Sequence, residues 1–510
     1  MNTTTNKFHI PNDIIREIIS HVDPKDINTL YSCLLINRAW CEHIIPLLWK
    51  NPFNIIKKNP RKLVSIYFNF CDEQTKSIIR IVNHNKTLIK YPSYLQKVSF
   101  MKIYDATLDL VLFNNNKAEN EKIQSFPSKK DQILSIMLSK EILKMFLNNS
   151  PRLEYLKIDI SRELKRRTCC EFISFSSLNT ALTRLNTLHC SNDNANNEIL
   201  KVIAQSSTSI KNIIISENDD WNNYNVGIIN LTISKLIKVQ QGIEKVTINE
   251  VSKGITEILS SLKSQKNTLK ELHFNHVSFI KDENALKYIS NFSENLKELR
   301  FKNCYGLTNN VMKQLLNVEF PKLISLEINN DDYFSHTEKY PTKEILELIK
   351  NLGNNLSELI LNTSSFSNSI LHHIKKYCNN LTTLGLDIGY NQLLPLFELF
   401  KSLNKLERFI VQNDGGSIHI DNWLEKIPHS ITSLEVSGWI ISPKGLKDFL
   451  NINRNKINVL SWRLPTNVNF DDYSNIIDNY TIKNNLYFVK NLQNQHQKGQ
   501  YWDEIRVEFI

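Results

Sequence analysis

Apolar residues recur at a helical spacing near the start of the chain, at Ile14, Ile15, Ile18, Ile19 and Val22. This spacing places them on one face of a helix, and Pro11 just ahead is a helix-start signal. A second stretch repeats the pattern with Leu30, Leu34, Leu35 and Trp40. A unit of roughly 45 residues buries too little of its own surface to be comfortably stable. We therefore expect its leftover apolar groups to meet a partner or the next domain.

A different pattern, Leu-x-x-Leu-x-Leu with aliphatic substitutions, fills the rest of the chain. Its clear matches begin at Leu153, Leu185, Ile210, Ile243, Leu269, Leu296, Leu323, Leu356, Leu381, Leu406, Ile431 and Ile457. Their spacing is mostly 25 to 27 residues and occasionally about 33, which is the period of a leucine-rich repeat. Weaker matches over 63–68 and 95–100 predict that the array starts soon after residue 52.

Single repeats carry local signals of strand, turn and helix. The unit from Leu296 to Val311 resembles the cysteine-containing subclass of these repeats, in which Cys304 fills the turn after the strand and Thr308 caps the helix. Residues 342–352 predict a helix that ends at Gly353, and Ser442 with Pro443 predicts the start of another.

The predicted fold class is α/β, with curved parallel strands inside and helices outside, behind an N-terminal helical domain. We expect four parts: residues 1–52 as the helical domain, 53–152 as irregular first repeats, 153–464 as the repeat array and 465–510 as a C-terminal cap. A polar stretch near 114–130 predicts a mobile loop. The pattern from Trp502 to Phe509 predicts a last strand that finishes the sheet.

The side chains between the aliphatic positions should line the concave face of the sheet, because strand side chains alternate. Ile360 and Ile410 are then expected as an exposed apolar centre with a charged rim, which is the usual anatomy of a protein interface. The alternative is that they are ordinary isoleucines of the strand face, partly covered by neighbours. The candidate substrate-binding residues are His273, Arg300, Glu327, Ile360, Arg408, Ile410 and Glu435.

Composition excludes several classes of function. No stretch of the 510 residues is long and apolar enough for a membrane helix. The net charge of +10 comes mostly from lysines scattered among acidic residues, without a basic groove that carries stacking aromatics, so no nucleic acid is expected as a partner. Residues 1–7 lack the features of a secretory signal, which predicts a protein of the cytoplasm, the nucleus or both.

Catalytic and metal-binding motifs are not apparent. The sequence has no phosphate-binding glycine loop, no His-Glu-x-x-His and no nucleophile elbow, and only 12 glycines in all. The eight cysteines include no Cys-x-x-Cys pair. His372, His373 and Cys378 fall on a predicted repeat helix without a partner at the right spacing. We therefore expect no enzyme, no metal and no cofactor.

The opening segment resembles the F-box. The resemblance rests on Ile10-Pro11, Cys33-Leu34-Leu35-Ile36, Trp40 and Pro46-Leu47-Leu48-Trp49, with Ile10 in place of the usual leucine. The spacing of Trp40 and Trp49 resembles that of the large fungal F-box families. The resemblance implies contacts with a Skp-family adaptor, and through it a cullin, at Ile10, Pro11, Ile14, Ile15, Ile18, Leu34, Leu35, Ile36 and Trp40.

Together, the F-box resemblance and the repeats imply a substrate-recognition subunit of an SCF-type E3 ubiquitin ligase. The F-box would hold the adaptor and the repeat array would hold an unknown target protein, while catalysis would belong to other subunits. The main alternative is a ligase-independent leucine-rich repeat scaffold for protein interactions. A nucleic-acid binder with a basic surface is a weaker, third alternative.

Overall fold

The computed structural model describes residues 10–23, 26–56, 59–78, 89–119, 127–158, 182–191, 197–216, 231–329, 341–362, 368–412, 418–419, 421, 426–452, 457–463, 471–484, 488–497 and 500–509. The chain divides into two compact units, Met1–Ile243 and Glu244–Ile510. Among the described residues, no helix is long and apolar enough to span a bilayer.

The first unit opens with six helices, α1 (Asn12–Ser20), α2 (Ile27–Leu34), α3 (Arg38–Trp49), α4 (Pro52–Ile55), α5 (Arg61–Phe68) and α6 (Glu73–Ile78). The side chains of Asp26 and Asn37 cap α2 and α3, because each accepts a hydrogen bond from the third backbone N–H that follows it, at 3.1 Å. Helices α1 to α3 close over a shared core of Ile15, Ile19, Leu30, Trp40, Ile44 and Leu48. We call residues 10–49 the N-terminal helical domain.

The first repeats follow in the same unit, with β1 (Lys97–Ser99), α7 (Phe100–Glu119), α8 (Lys129–Asn149), β2 (Tyr155–Ile158), β3 (Thr187–Ser191), α9 (Asn197–Ser206), β4 (Asn212–Ser216) and α10 (Leu231–Val239). Short 3₁₀ turns lie at Tyr91–Tyr94 and Leu182–Arg184. Strands β1 to β4 pair in order and in parallel. The predicted strand over 95–100 is therefore confirmed in part, at Lys97–Ser99.

One prediction for this region is wrong, and the bounds of another change. The match over 63–68 is helix α5, because the residues that become buried repeat with helical period, at Leu63, Val64, Tyr67 and Phe68. The predicted loop near 114–130 is shorter at both ends, since α7 continues to Glu119 and α8 starts at Lys129 behind a capping box of Ser128 and Asp131. The middle of that predicted loop, residues 120–126, lies outside the described residues.

The second unit continues the alternation of strands and helices. Its elements are β5 (Lys245–Asn249), α11 (Ile255–Ser261), β6 (Glu271–Asn275), β7 (Glu298–Lys302), α12 (Asn309–Leu316), β8 (Ser325–Asn329), α13 (Thr342–Leu352), β9 (Glu358–Asn362), α14 (Asn368–Tyr377), β10 (Thr383–Asp387), α15 (Leu393–Phe400), β11 (Arg408–Gln412), β12 (Ile418–His419), β13 (Ser433–Ile440), α16 (Pro443–Ile452), β14 (Val459–Arg463), α17 (Asp471–Asn484), β15 (Phe488–Gln497) and β16 (Gln500–Phe509). Short 3₁₀ turns lie at Leu262–Gln265, Leu286–Asn291, Ser293–Asn295 and Tyr390–Gln392.

Strands β5 to β11, β13 and β14 pair in parallel, and the short β12 pairs with β13. At the end of the sheet β16 runs antiparallel to β14, and β15 pairs with β16 as a hairpin. The predicted last strand near Trp502–Phe509 is confirmed. The hairpin covers the outer edge of β14, which would otherwise expose unpaired backbone groups.

A paired hydrogen bond recurs ahead of the strands and sets the repeat register. The carbonyl oxygen of Lys270 accepts from the N–H groups of Lys297 and Glu298, at 2.7 and 3.0 Å. Other carbonyl oxygens also accept from two consecutive N–H groups of the next repeat, namely those of Lys297, Ile324, Ser357, Thr382, Glu407 and Thr432. Each repeat is thus tied to the next by its backbone as well as by its apolar core.

The local signals are confirmed where the structure describes them. Cys304 is buried with its sulfur 3.4 Å from the carbonyl oxygen of Phe274, and burial raises the pKa of this thiol to about 12. The Thr308 hydroxyl caps α12 by accepting from Val311 N–H. Gly353 ends α13, and there a Cβ would lie 2.7 Å from the carbonyl oxygen of Tyr377, so close packing requires glycine.

Candidate functional site

The N-terminal helical domain leaves a group of apolar side chains uncovered. Ile14 is 51% exposed, Leu35 80% and Ile36 55%. Ile10, Pro11 and Ile18 are also exposed, and Leu34 is half-buried. We call these seven residues the apolar patch. They are seven of the nine residues predicted to contact an adaptor, so most of that predicted set reaches solvent.

Ile15 and Trp40, the other two predicted contact residues, lie inside the domain. They are 1% and 6% exposed and belong to its core. The reason for Ile15 is helical periodicity, since α1 turns Ile14 and Ile18 outward while it turns Ile15 and Ile19 inward. Both side chains are therefore core residues of the free domain, and the apolar patch is the part of the predicted contact set that is accessible. Ile15 and Trp40 support its shape.

Tyr31 belongs beside the apolar patch and was not predicted. Its side chain is 53% exposed. It lies on α2 four positions before Leu35, a spacing that places two residues on one face of a helix. The sequence carried this signal, but the aliphatic residues of the motif drew the prediction instead.

A second candidate surface lies on the strands of the second unit. The second and fourth residues of its strands are core, as Leu272 and Phe274 are. We call the face formed by the first, third and fifth residues of β5 to β9 and their successors the open strand face. The predicted column of third residues is in register, as His273, Arg300, Glu327, Ile360, Gly385, Ile410, Glu435 and Ser461.

The predicted apolar centre of this face is wrong in part. Ile360 is 8% exposed rather than open. The cause is Gly385 on the neighbouring strand, since a Cβ there would lie 2.8 Å from Cγ2 of Ile360. The isoleucine therefore fills the space that the glycine leaves. Ile410 is half-buried, so it is the more accessible of the two.

The charged residues of the open strand face are mainly paired with one another. The Arg300 guanidinium contacts Glu298 and lies 3.1 Å from Glu327 and 3.2 Å from Glu358. Burial alone would lower the pKa of Arg300, but these three carboxylates outweigh it, and the net shift is upward. Farther along, Arg408 lies 2.7 Å from Glu435. The predicted charged rim is therefore a set of internal ion pairs.

His273 lies at the other end of this network. Its Nε2 is 2.7 Å from Oε1 of Glu298 and 3.8 Å from Oε2 of Glu271. The contact with His273 lowers the pKa of the Glu298 carboxyl, burial opposes this, and the charge of Arg300 adds to it. Glu271 in turn lies 2.6 Å from the ammonium group of Lys245.

Glu271, Glu298 and Glu358 were not among the predicted site residues. Each is the first residue of its strand. The alternation that predicted the third position also places the first on the same face. The signal was therefore present, and Arg408, the first residue of β11, was among the predicted residues, but these three carboxylates were not. With these carboxylates included, the face is more acidic than predicted.

Residues 8–55 match a family model described as F-box-like. The described residues behind this segment form the strand and helix units of leucine-rich repeats. The chain therefore carries an F-box-like domain at its N-terminus, followed by leucine-rich repeats. Its F-box-like domain supports a role in the recognition of a protein substrate and implies a Skp-type adaptor as the partner.

Two solved structures resemble this chain at low identity. The leucine-rich repeat-containing protein LegL7 from Legionella pneumophila is 14% identical, with a TM-score of 0.30, and the match covers 59% of this chain and 91% of that one. A chain of the Rad7 and Elc1 complex in yeast is 15% identical, with a TM-score of 0.36 and coverage of 80% and 94%. These values are too low to carry a functional argument. No curated protein sequence gives a significant match.

The F-box is fixed to the first repeats of its own unit. The carbonyl oxygen of Lys50 accepts from the N–H groups of Gln96 and Lys97, at 2.9 and 3.1 Å. This is the same paired bond that ties one repeat to the next. The Trp49 ring stacks on Tyr91 at 4.0 Å. The C-terminal end of α3 therefore contacts β1 in the way that one repeat contacts the next. The F-box is fixed to this first strand and is not joined to it by a flexible linker.

Proposed function

We propose that the protein is the substrate-recognition subunit of an SCF-type E3 ubiquitin ligase and docks a Skp-family adaptor through the apolar patch. The observation that carries this proposal is the concentration of exposed apolar side chains. Half of the large hydrophobic side chains that are exposed among the described residues fall within residues 10–36. A concentration of exposed apolar side chains on a small domain is typical of a binding site.

The apolar patch supplies a favourable free-energy contribution to docking. Covering a half-exposed isoleucine or leucine contributes about 1 kcal/mol. Several such residues together supply the apolar centre that stable interfaces need, against the cost of association. The F-box-like match to residues 8–55 supports the choice of a Skp-family adaptor as the occupant. The specific adaptor and cullin are part of the proposal.

The attachment of the F-box to β1 supports a receptor rather than a loosely tethered binder. The paired hydrogen bonds at Lys50 and the stacking of Trp49 on Tyr91 fix the direction in which the first repeats leave the F-box. A docked adaptor would therefore hold these repeats in a defined orientation. Defined orientation raises the effective concentration of a bound target at the transferring enzyme.

We place the target on the open strand face, at His273, Arg300, Glu327, Ile360, Arg408, Ile410 and Glu435. Their ion pairs would have to be exchanged for contacts with the target, which favours a target of matching charge pattern over a merely apolar one. In this scheme the chain is non-catalytic, uses no cofactor, and acts in the cytoplasm, the nucleus or both.

The test is assembly of the full chain with a purified Skp-family adaptor and cullin, followed by size-exclusion chromatography. We expect the wild-type chain to co-elute with both. The variant Leu35→Asp with Ile36→Asp should not, because a carboxylate in the apolar interface is unpaired and desolvated. Leu394→Asp is the matched control, since Leu394 is 73% exposed but lies outside the F-box.

The outcomes separate the two hypotheses. Co-elution of wild type and control with loss in the double variant supports the ligase assignment. Failure of the wild-type chain to capture the adaptor would leave the ligase-independent scaffold as the better account of the repeats. Capture that survives the double variant would show that the apolar patch is not the docking surface.

A further inference from the structure

Glu271, His273 and Glu298 lie together on the open strand face. Strands β6 and β7 pair so that Glu271 is opposite Glu298 and His273 is opposite Arg300. Each of the three residues offers one ligand atom, and these atoms lie within 4.8 Å of one another. Glu271 and His273 are two positions apart on one strand, so the backbone itself holds both side chains on the same face.

His273 is the buried member of this cluster. It is 9% exposed, and its Nε2 lies 2.7 Å from Oε1 of Glu298 and 3.8 Å from Oε2 of Glu271. A buried imidazole nitrogen that faces two carboxylate oxygens at these distances is an arrangement that a divalent cation can occupy.

The charges of the cluster do not balance. Four carboxylates, those of Glu271, Glu298, Glu327 and Glu358, are joined to two cations, Lys245 and Arg300. These carboxylates outnumber the two cations by two. A divalent cation would neutralise this surplus and would bind His273 Nε2 and both carboxylates at once.

We propose that Glu271, His273 and Glu298 form a binding site for a divalent cation of the Zn²⁺ class. One imidazole nitrogen and two carboxylate oxygens are a donor set that Zn²⁺ accepts, at about 2.1 Å from the metal. Two ligands of a tetrahedral ion at that distance lie about 3.4 Å apart. The distances from His273 Nε2 to Glu298 and Glu271, 2.7 and 3.8 Å, lie on either side of this value. Small side-chain movements would therefore suffice.

The side chains of Lys245 and Arg300, which now pair with these carboxylates, can release them to a bound ion. Lys245 pairs with Glu271, but its side chain is 38% exposed and can turn into solvent. Arg300 shares Glu298 with the site and keeps Glu327 and Glu358 as partners. A bound ion would link β6 to β7 through side chains and leave a fourth coordination position for water or for a group on a bound protein.

The proposal does not depend on adaptor docking, and its test uses the full chain alone. Protein stripped with a chelator is titrated with ZnCl₂ by calorimetry and with Co²⁺ by visible absorption. We expect one equivalent of tight Zn²⁺ and a Co²⁺ spectrum of low coordination number. His273→Ala should lose at least about tenfold in affinity, whereas His372→Ala and His429→Ala, at exposed histidines elsewhere in this unit, should not.

Two further readouts separate a metal site from a structural cluster. Zn²⁺ should raise the melting temperature of the wild-type chain but not of His273→Ala, which also reports whether that variant is folded. Lys245→Met should bind Zn²⁺ about two- to tenfold more tightly, because it removes a cation that competes for Glu271. Equal affinity of wild type and His273→Ala, or no binding by the wild-type chain, would overturn the proposal.

Discussion

The F-box and the open strand face differ in how their surface side chains are satisfied. The F-box leaves isoleucines and leucines in solvent and places no partner over them, whereas the strand face pairs its charges with one another. Any complementary apolar surface that covers the exposed side chains of the F-box binds favourably, because it removes them from water. The open strand face must break internal ion pairs before it can bind, so it selects its partner by charge pattern. The F-box surface therefore favours affinity, and the open strand face favours specificity.

Trp40→Ala should have the largest effect on the free energy of unfolding. It distinguishes a core residue of the F-box from the exposed residues of the apolar patch. Removal of a buried tryptophan costs about 3–5 kcal/mol, whereas Leu35→Ala, at an 80% exposed position, should change the free energy of unfolding by less than about 0.5 kcal/mol. Urea denaturation of the two full-length variants measures both values. Similar stabilities would mean that Trp40 is not core.

The double variant Leu35→Asp with Ile36→Asp should have a large effect on adaptor affinity and a small effect on stability. Binding to a Skp-family adaptor should weaken by about a hundredfold or more, because the change falls at the centre of the proposed interface. The free energy of unfolding should stay close to that of the wild type. An unchanged dissociation constant would remove the apolar patch from the interface.

Arg300→Ala tests whether the strand face is internally paired. It leaves Glu298, Glu327 and Glu358 without their shared cation. The Arg300 side chain is 31% exposed, so solvent screening reduces the cost to about 1–2 kcal/mol. Arg408→Ala, with one partner and 44% exposure, should cost less than about 1 kcal/mol. Equal costs would contradict a network centred on Arg300.

Asp26→Asn should give the smallest effect, visible only as a change in pH dependence. Hydrogen bonds from the Thr29 side chain and backbone lower the pKa of Asp26 from its ordinary 3.8. The stabilisation is therefore complete above that ordinary pKa and is lost as the pH falls through the lowered value. Thermal melts between about pH 7 and pH 3 should show a smaller acid loss for Asp26→Asn than for the wild type. Parallel curves would rule out this cap.

Local sequence signals predicted much of the fold because each depends on a few neighbouring residues. The repeat register followed from the spacing of aliphatic positions, and Thr308 and Gly353 followed from helix-end chemistry. The helix at 61–68 was missed because a short apolar run fits both a strand and a helix, and only packing decides between them. The repeat register could therefore be predicted from the sequence, whereas the type of element formed by the short apolar run at 61–68 could not.

The candidate surfaces were less predictable, because exposure depends on contacts between residues far apart in sequence. The strand pattern predicts that Ile360 is exposed. It is buried because Gly385, 25 positions later, leaves space for its side chain. Trp40 fits a docking motif, yet Ile15 and Leu30 enclose it. The ion pairs of Arg300 join three strands, so no single motif shows them. Glu271 and Glu298 could have been predicted from alternation alone.

The most direct test of the central claim is a calorimetric titration of the full-length chain with a purified Skp-family adaptor. The account predicts a one-to-one complex with a dissociation constant of about 1 μM or lower, a negative heat-capacity change from apolar burial, and loss of binding in Leu35→Asp with Ile36→Asp but not in Leu394→Asp. No binding at adaptor concentrations of about 100 μM would contradict the claim that residues 10–36 form an adaptor-docking surface.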